Sequence, residues 1–216
     1  MINVIEPSLL WIDYAGVAVF AVTGCLVAAK KRLDIVSFIL LALVTGVGGG
    51  TLRDMMLGRL PVFWIQQPAY LVDCIVTAFI MFFVARHVAS FHRWIVWGDA
   101  VGIAVFTVTG TKIGLDAGAA WPVCVTLGVI TSIVGGIIRD VLAGEPSLIV
   151  RKEIYATACA FGALVFLVAN SYVPQVAGLL GMLSTFGLRA AAIVWRLHLP
   201  GYQWVEDHLG HRRSTD

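Results

Sequence analysis

The sequence predicts an all-α membrane protein of seven transmembrane helices, arranged as two inverted three-helix repeats plus one further helix. Three observations carry this. The 216 residues are 59% hydrophobic and 13% charged, with a mean hydropathy of +0.90, beyond what a soluble domain carries. The apolar residues gather into segments of about the ~20 residues that a hydrocarbon core ~30 Å thick requires. And the sequence matches itself when shifted by 86 residues.

In chain order the segments are about 9–29, 35–57, 68–86, 95–113, 121–143, 151–170 and 174–195. They form a single transmembrane domain over 1–197, with repeat one at about 9–86, repeat two at about 95–170 and the seventh helix at about 174–195. The first segment is too long for the core of a signal peptide and is followed by Lys30-Lys31-Arg32 rather than a cleavage site, so it is expected to be retained. The second and fifth segments carry Gly48-Gly49-Gly50 with Arg53-Asp54, and Gly135-Gly136 with Arg139-Asp140. Runs of glycine weaken a helix, and an ionisable residue inside a membrane segment is a functional hypothesis by default. Both helices are therefore expected to break at these glycines, with Thr45, Thr131 and Ser132 adding hydroxyls just before each break. Pro200-Gly201 ends the last segment, and 198–216 reads as a polar, partly disordered cytoplasmic tail.

The internal match fixes the topology. Asp13, Gly16, Phe20, Thr23 and Gly24 fall on Asp99, Gly102, Phe106, Thr109 and Gly110; Thr45 falls on Thr131, Arg53 on Arg139, Asp54 on Asp140 and Gly58 on Gly144. A one-residue slip then brings Pro61 to Pro146 and Tyr70 to Tyr155. Three helices per repeat is an odd number, so repeat two enters the membrane from the opposite face. Inverted repeats with discontinuous helices belong to transporters and channels. An unpaired charge at low dielectric is costly, so Asp13 is expected to pair with Arg53 and Asp99 with Arg139. Asp13, Arg53, Asp54 and Asp73 would leave an excess of negative charge near the outer end, which would concentrate cations.

Lys and Arg mark cytoplasmic loops. Alternate connectors give Lys30, Lys31, Arg32, Arg86, Arg93, Arg151, Lys152, Arg189, Arg196, Arg212 and Arg213 on one side, and Arg59 and Lys112 on the other. That places the amino terminus outside and the carboxyl terminus in the cytoplasm. Cys25, Cys74, Cys124 and Cys159 lie in separate segments without metal-ligand spacing and read as packing residues. No nucleophile set, zinc spacing or phosphate loop stands out, so no catalytic residue, metal or cofactor is expected. The net charge of +2 is small, and no nucleic-acid partner is expected.

At these residues the chain resembles the trimeric intracellular cation channels (TRIC) in their bacterial form. The resemblance covers nearly the whole chain and rests on the three-plus-three-plus-one helices and on the paired motifs Gly48-Gly49-Gly50…Arg53-Asp54 and Gly135-Gly136…Arg139-Asp140. It implies a homotrimer among membrane lipids in a bacterial inner membrane, with one pore per subunit conducting monovalent cations, chiefly potassium. It also implies that the second and fifth helices line the pore. Val134 stands where repeat one has Gly48, so the second kink is expected to be less mobile. The same sequence family contains bacterial proteins described as transporters of glycine or other small amino acids, and the motifs fit that alternative as well.

Overall fold

Burial of apolar faces along both halves of the sequence gives a helical bundle with an internal two-fold relation. The computed structural model describes residues 7–88, 91–146 and 154–197. Among these are α1 (Pro7–Lys30), α2 (Ile35–Met56), the four-residue α3 (Phe63–Gln66), α4 (Ala69–Val84) with a 3-10 turn at Ala85–His87, α5 (Phe91–Asp116), α6 (Trp121–Leu142), α7 (Ala156–Tyr172) and α8 (Pro174–Trp195). Six are long and apolar enough to cross a membrane, and α7 is a shorter apolar helix of 17 residues. At 1.5 Å per residue α7 reaches ~25 Å, close to the thickness of a hydrocarbon core. The short α3 was not expected from the sequence. The tail at 198–216 and the predicted start of the sixth segment at 151–153 lie outside the described residues.

Within each repeat the three long helices pack on one another: α1 with α2 and α4, and α5 with α6 and α7. Between repeats α1 packs on α5 and α2 on α6, while α8 lies against α5 and α7. The pseudo-two-fold axis therefore passes between α1/α5 and α2/α6. Phe20 and Phe106, equivalent under the repeat, meet near it with ring centroids 5.0 Å apart. Around them Val17, Leu41, Cys74, Ile103 and Ile133 form the dry centre. α4 and α8 expose large apolar residues, among them Val72, Phe79, Phe83, Leu179 and Leu183, as a lipid-facing surface requires. All four cysteines are buried free thiols.

The expected breaks at the glycines are not present. α2 and α6 are each one uninterrupted helix through 46–52 and 133–138. Each ends in the same way instead. Gly58 and Gly144 take left-handed conformations, φ +63° and +62°, and the N–H groups of Arg59 and Glu145 reach back to the carbonyls of Asp54 and Asp140 at 2.8 and 2.9 Å. This is the glycine-terminated helix end that L-residues with a Cβ resist.

Arg189, counted above among the cytoplasmic loop charges, lies well inside α8 and is 1% exposed; Lys30, Arg93 and Lys112 lie within a few residues of helix ends.

Candidate functional site

The glycines serve helix contact. Adjacent glycines on a helix face different directions, and here each direction has its own neighbour. Gly46 faces Cys74 and Val17, Gly48 faces Ile138, and Gly50 lies under the Phe63 ring. A Cβ on Gly49 would overlap the Thr131 carbonyl oxygen, and one on Gly135 would overlap the Thr45 carbonyl oxygen. These two contacts are exchanged by the repeat. They also show that α2 and α6 cross antiparallel, since 45 lies against 135 and 49 against 131. Arg53 and Arg139 each stand six residues beyond the crossing, in opposite directions, so their Cα atoms are ~18 Å apart along the pair. The hydroxyls of Thr45 and Thr131 donate to Leu41 and Leu127 carbonyls in their own helices at 2.5 and 2.6 Å. The Ser132 hydroxyl does the same with Gly128 and Val129, at 2.9 Å.

In both halves the arginine is bound by the aspartate that follows it. Arg53 Nε donates to Asp54 Oδ1 at 2.9 Å and Nη2 lies 2.8 Å from the same oxygen; Arg139 and Asp140 repeat both contacts at 2.9 and 2.8 Å. The other Asp54 oxygen accepts the Phe63 N–H at 2.9 Å, which ties α3 to the end of α2. Arg53 also sits 5.5 Å from the centre of the Phe63 ring, a cation–π distance. Asp54 is therefore a buried structural carboxylate, 3% exposed, and not the open acidic group expected at an outer mouth.

The halves then diverge. Asp99 accepts from Arg139 in bidentate fashion, Oδ1 from Nη1 at 2.7 Å and Oδ2 from Nη2 at 3.0 Å, with Thr23 Oγ1 accepting from Nη1 at 2.8 Å. This is the predicted pair, fully enclosed. The predicted mirror pair is not formed: no ion pair joins Asp13 to Arg53 among the described residues, and Asp13 Oδ2 accepts from the Tyr70 hydroxyl at 2.8 Å. The physical reason is competition. Tyr70, stacked on Tyr14 and edge-on to Phe63, satisfies Asp13 with a neutral donor, while Asp54 and the Phe63 ring satisfy Arg53.

Two small cavities flank the crossing. One, in the Arg53 half, is lined by Asp13, Arg53, Thr45, Thr131, Gly49, Phe20 and Phe106 among others. It brings most of the expected pathway residues of that half together and has room for about one water. The other, in the Arg139 half, is lined by Lys30, His92, Arg139, Asp140 and Glu145 among others. There Glu145 accepts from Lys30 and Lys31, both at 2.9 Å. The hydrogen bond from Lys30, then that from Lys31, holds its carboxyl well below the usual value, to about 2.

Four side chains at the site were not assigned a role from the sequence: Tyr70, Tyr155, Phe63 and Arg189. The repeat match of Tyr70 with Tyr155 was the available signal for two of them, and an arginine inside an apolar segment was the signal for Arg189. Its guanidinium lies 5.2 Å from the centre of the Tyr155 ring and Nη1 donates to the Ile154 carbonyl at 3.3 Å.

A family model described as "Glycine transporter" matches residues 10–86 and again residues 96–171. The UPF0126 inner membrane protein YadS of Escherichia coli is 44% identical over 203 residues, covering 91% of this chain and 97% of that protein. A UPF0126 membrane protein of Vibrio cholerae is 41% identical over 202 residues, covering 92% and 84%. Among solved structures, the TRIC trimeric intracellular cation channel orthologue from Rhodobacter sphaeroides matches with TM-score 0.86 and 43% identity, over 89% of this chain and 100% of that one. A prokaryotic TRIC channel crystallised in 0.5 M KCl matches with TM-score 0.85 and 26% identity, over 90% and 100%.

Proposed function

This chain is a bacterial member of the TRIC family that also matches the family model described as "Glycine transporter", and from that premise we propose that it is a cation channel. In this reading it conducts monovalent cations, with potassium preferred, through a path between α2 and α6 of each protomer of a homotrimer in the inner membrane. The observation that carries the reading is the crossing of α2 and α6, with a buried arginine–aspartate arrangement on each side of it. The candidate path residues are Thr45, Gly48, Gly49, Gly50, Arg53 and Asp54 in one half and Thr131, Ser132, Gly135, Gly136, Arg139 and Asp140 in the other, with Asp99 as the charge partner of Arg139 and Asp13 held beside the path by Tyr70. The arginines hold the carboxylates in place and limit how many cations enter together; they are not cation sites. The solved structures it resembles are described as channels, not as enzymes. The amino terminus is read as outside and the carboxyl terminus as cytoplasmic, from the charge asymmetry.

One observation favours a second reading, a secondary transporter of glycine or another small amino acid. One half has its Asp–Arg pair formed and the other does not, and such inequality between inverted repeats suits alternating access. Reconstitution separates the two. A channel gives unitary currents in planar bilayers, with a reversal potential in a KCl gradient set by the cation. Saturable glycine uptake with counterflow and no unitary currents would replace the channel by the transporter. Native mass spectrometry in mild detergent tests the trimer, and monomer or dimer alone would remove it.

A further inference from the structure

α8 has no counterpart in the repeat, yet it brings a buried charge to one half only. It packs on α5 and α7, and its Arg189 is 1% exposed. The guanidinium lies 5.2 Å from the centre of the Tyr155 ring, and Nη1 donates to the carbonyl of Ile154, the residue before it, at 3.3 Å. Tyr155 is the repeat-two equivalent of Tyr70, whose hydroxyl binds Asp13. The Tyr155 hydroxyl points to α6, where a Cβ on Gly136 would sit 3.4 Å from it, one turn before Arg139. Asp99, Arg139 and Arg189 all act on it electrostatically. So in one half the tyrosine takes the aspartate, and in the other the tyrosine is held by α8 while the aspartate goes to arginine.

We propose that Arg189 is a positioning residue: by holding Tyr155, it keeps that hydroxyl from taking Asp99 as Tyr70 takes Asp13, and so keeps the Asp99–Arg139 pair formed and the Arg139 half closed. The cation–π contact fixes the ring plane, and the bond to the Ile154 carbonyl fixes the backbone that carries the ring. The inference rests on the proposed path between α2 and α6, but its test does not require conduction.

The test uses a single reporter cysteine at Val96, which lines the cavity of the Arg139 half, in a protein whose four native cysteines are replaced by alanine. Labelling by a membrane-impermeant thiol reagent is followed in proteoliposomes. Arg189→Gln should raise the labelling rate about tenfold, equivalent to ~1.4 kcal/mol of shifted equilibrium. Adding Tyr155→Phe, which keeps the ring and removes the hydroxyl, should return the rate to within about twofold of the parent. Arg189→Lys, which keeps the charge but not the planar contact, should lie between and serves as the test variant if Arg189→Gln does not fold. An unchanged rate in the folded variants would overturn the proposal. So would a rise that persists with Tyr155→Phe, because the effect would then be general loosening of α8 rather than release of one hydroxyl. If labelling behaves as expected but no current is seen in bilayers, the channel reading fails and this inference stands.

Discussion

Asp13 and Asp99 are equivalent in the sequence, and removing their charge should have unequal consequences. In Asp99→Asn one oxygen remains to accept from Arg139, but the new amide NH2 faces a guanidinium NH2. One charge-assisted hydrogen bond is lost, worth ~1.5–3 kcal/mol, and among the described residues Arg139 keeps only Asp140 as a charged partner at bonding distance. Breaking a buried pair outright costs ~3–5 kcal/mol; with Asp140 and Thr23 still in place the lower end applies, about 3 kcal/mol. At about 2–4 °C per kcal/mol for a chain of this size, the melting midpoint should fall by roughly 6–12 °C. Asp13→Asn keeps an oxygen that can accept from Tyr70, and no ion pair with Arg53 is broken, so its cost should be about 1 kcal/mol or less. Tryptophan fluorescence melting of the purified protein in one detergent reads both. Equal losses, or a larger loss for Asp13→Asn, would refute the claim that the two halves hold their aspartates differently.

The glycine contacts and the lysine–glutamate contact give further tests. Gly49→Ala and Gly135→Ala would each drive a methyl group into a backbone carbonyl of the facing helix, which cannot swing aside. Each should cost ~1–3 kcal/mol and reduce flux, whereas Gly48→Ala meets the flexible end of Ile138 and only ordinary contact with the Gly135 Cα, and Gly187→Ala meets open space. Similar melting curves for Gly49→Ala and Gly187→Ala would contradict the packing role. The Glu145 carboxyl is held below its ordinary value of 4.5, at about 2. A depressed folded value stabilises the fold above the unfolded pKa, so this contribution should be constant above pH ~5 and be lost as pH falls toward 2. The melting difference between the parent and Glu145→Gln should shrink as pH falls through that window toward about 2 and also at ~1 M salt; a difference undiminished at about pH 2 would show that the charge is not its source.

The sequence alone determined the fold class, the seven apolar segments and the inverted repeat, because those rest on local quantities: apolar segment length, the positions of charges, and self-similarity at a fixed shift. The bounds of α2, α6 and α8 follow within a residue or so, since the membrane imposes one length on each helix. It also found the enclosed Asp99–Arg139 pair, as an unpaired charge there has so few alternatives. What it could not decide was anything set by competition among neighbours. Gly48-Gly49-Gly50 weakens an isolated helix, but α2 stays continuous where close packing on α6, Cys74 and Phe63 uses the space that a Cβ would fill. Asp13 and Asp99 are equal in the sequence; which one meets its arginine depends on where Tyr70 and Tyr155 point, and Tyr155 is held by Arg189 from the one helix outside the repeat. Only the tertiary structure brings residues so distant in sequence as Ile154 and Arg189 together. That is why the asymmetry of the two halves was not legible until the bundle was assembled.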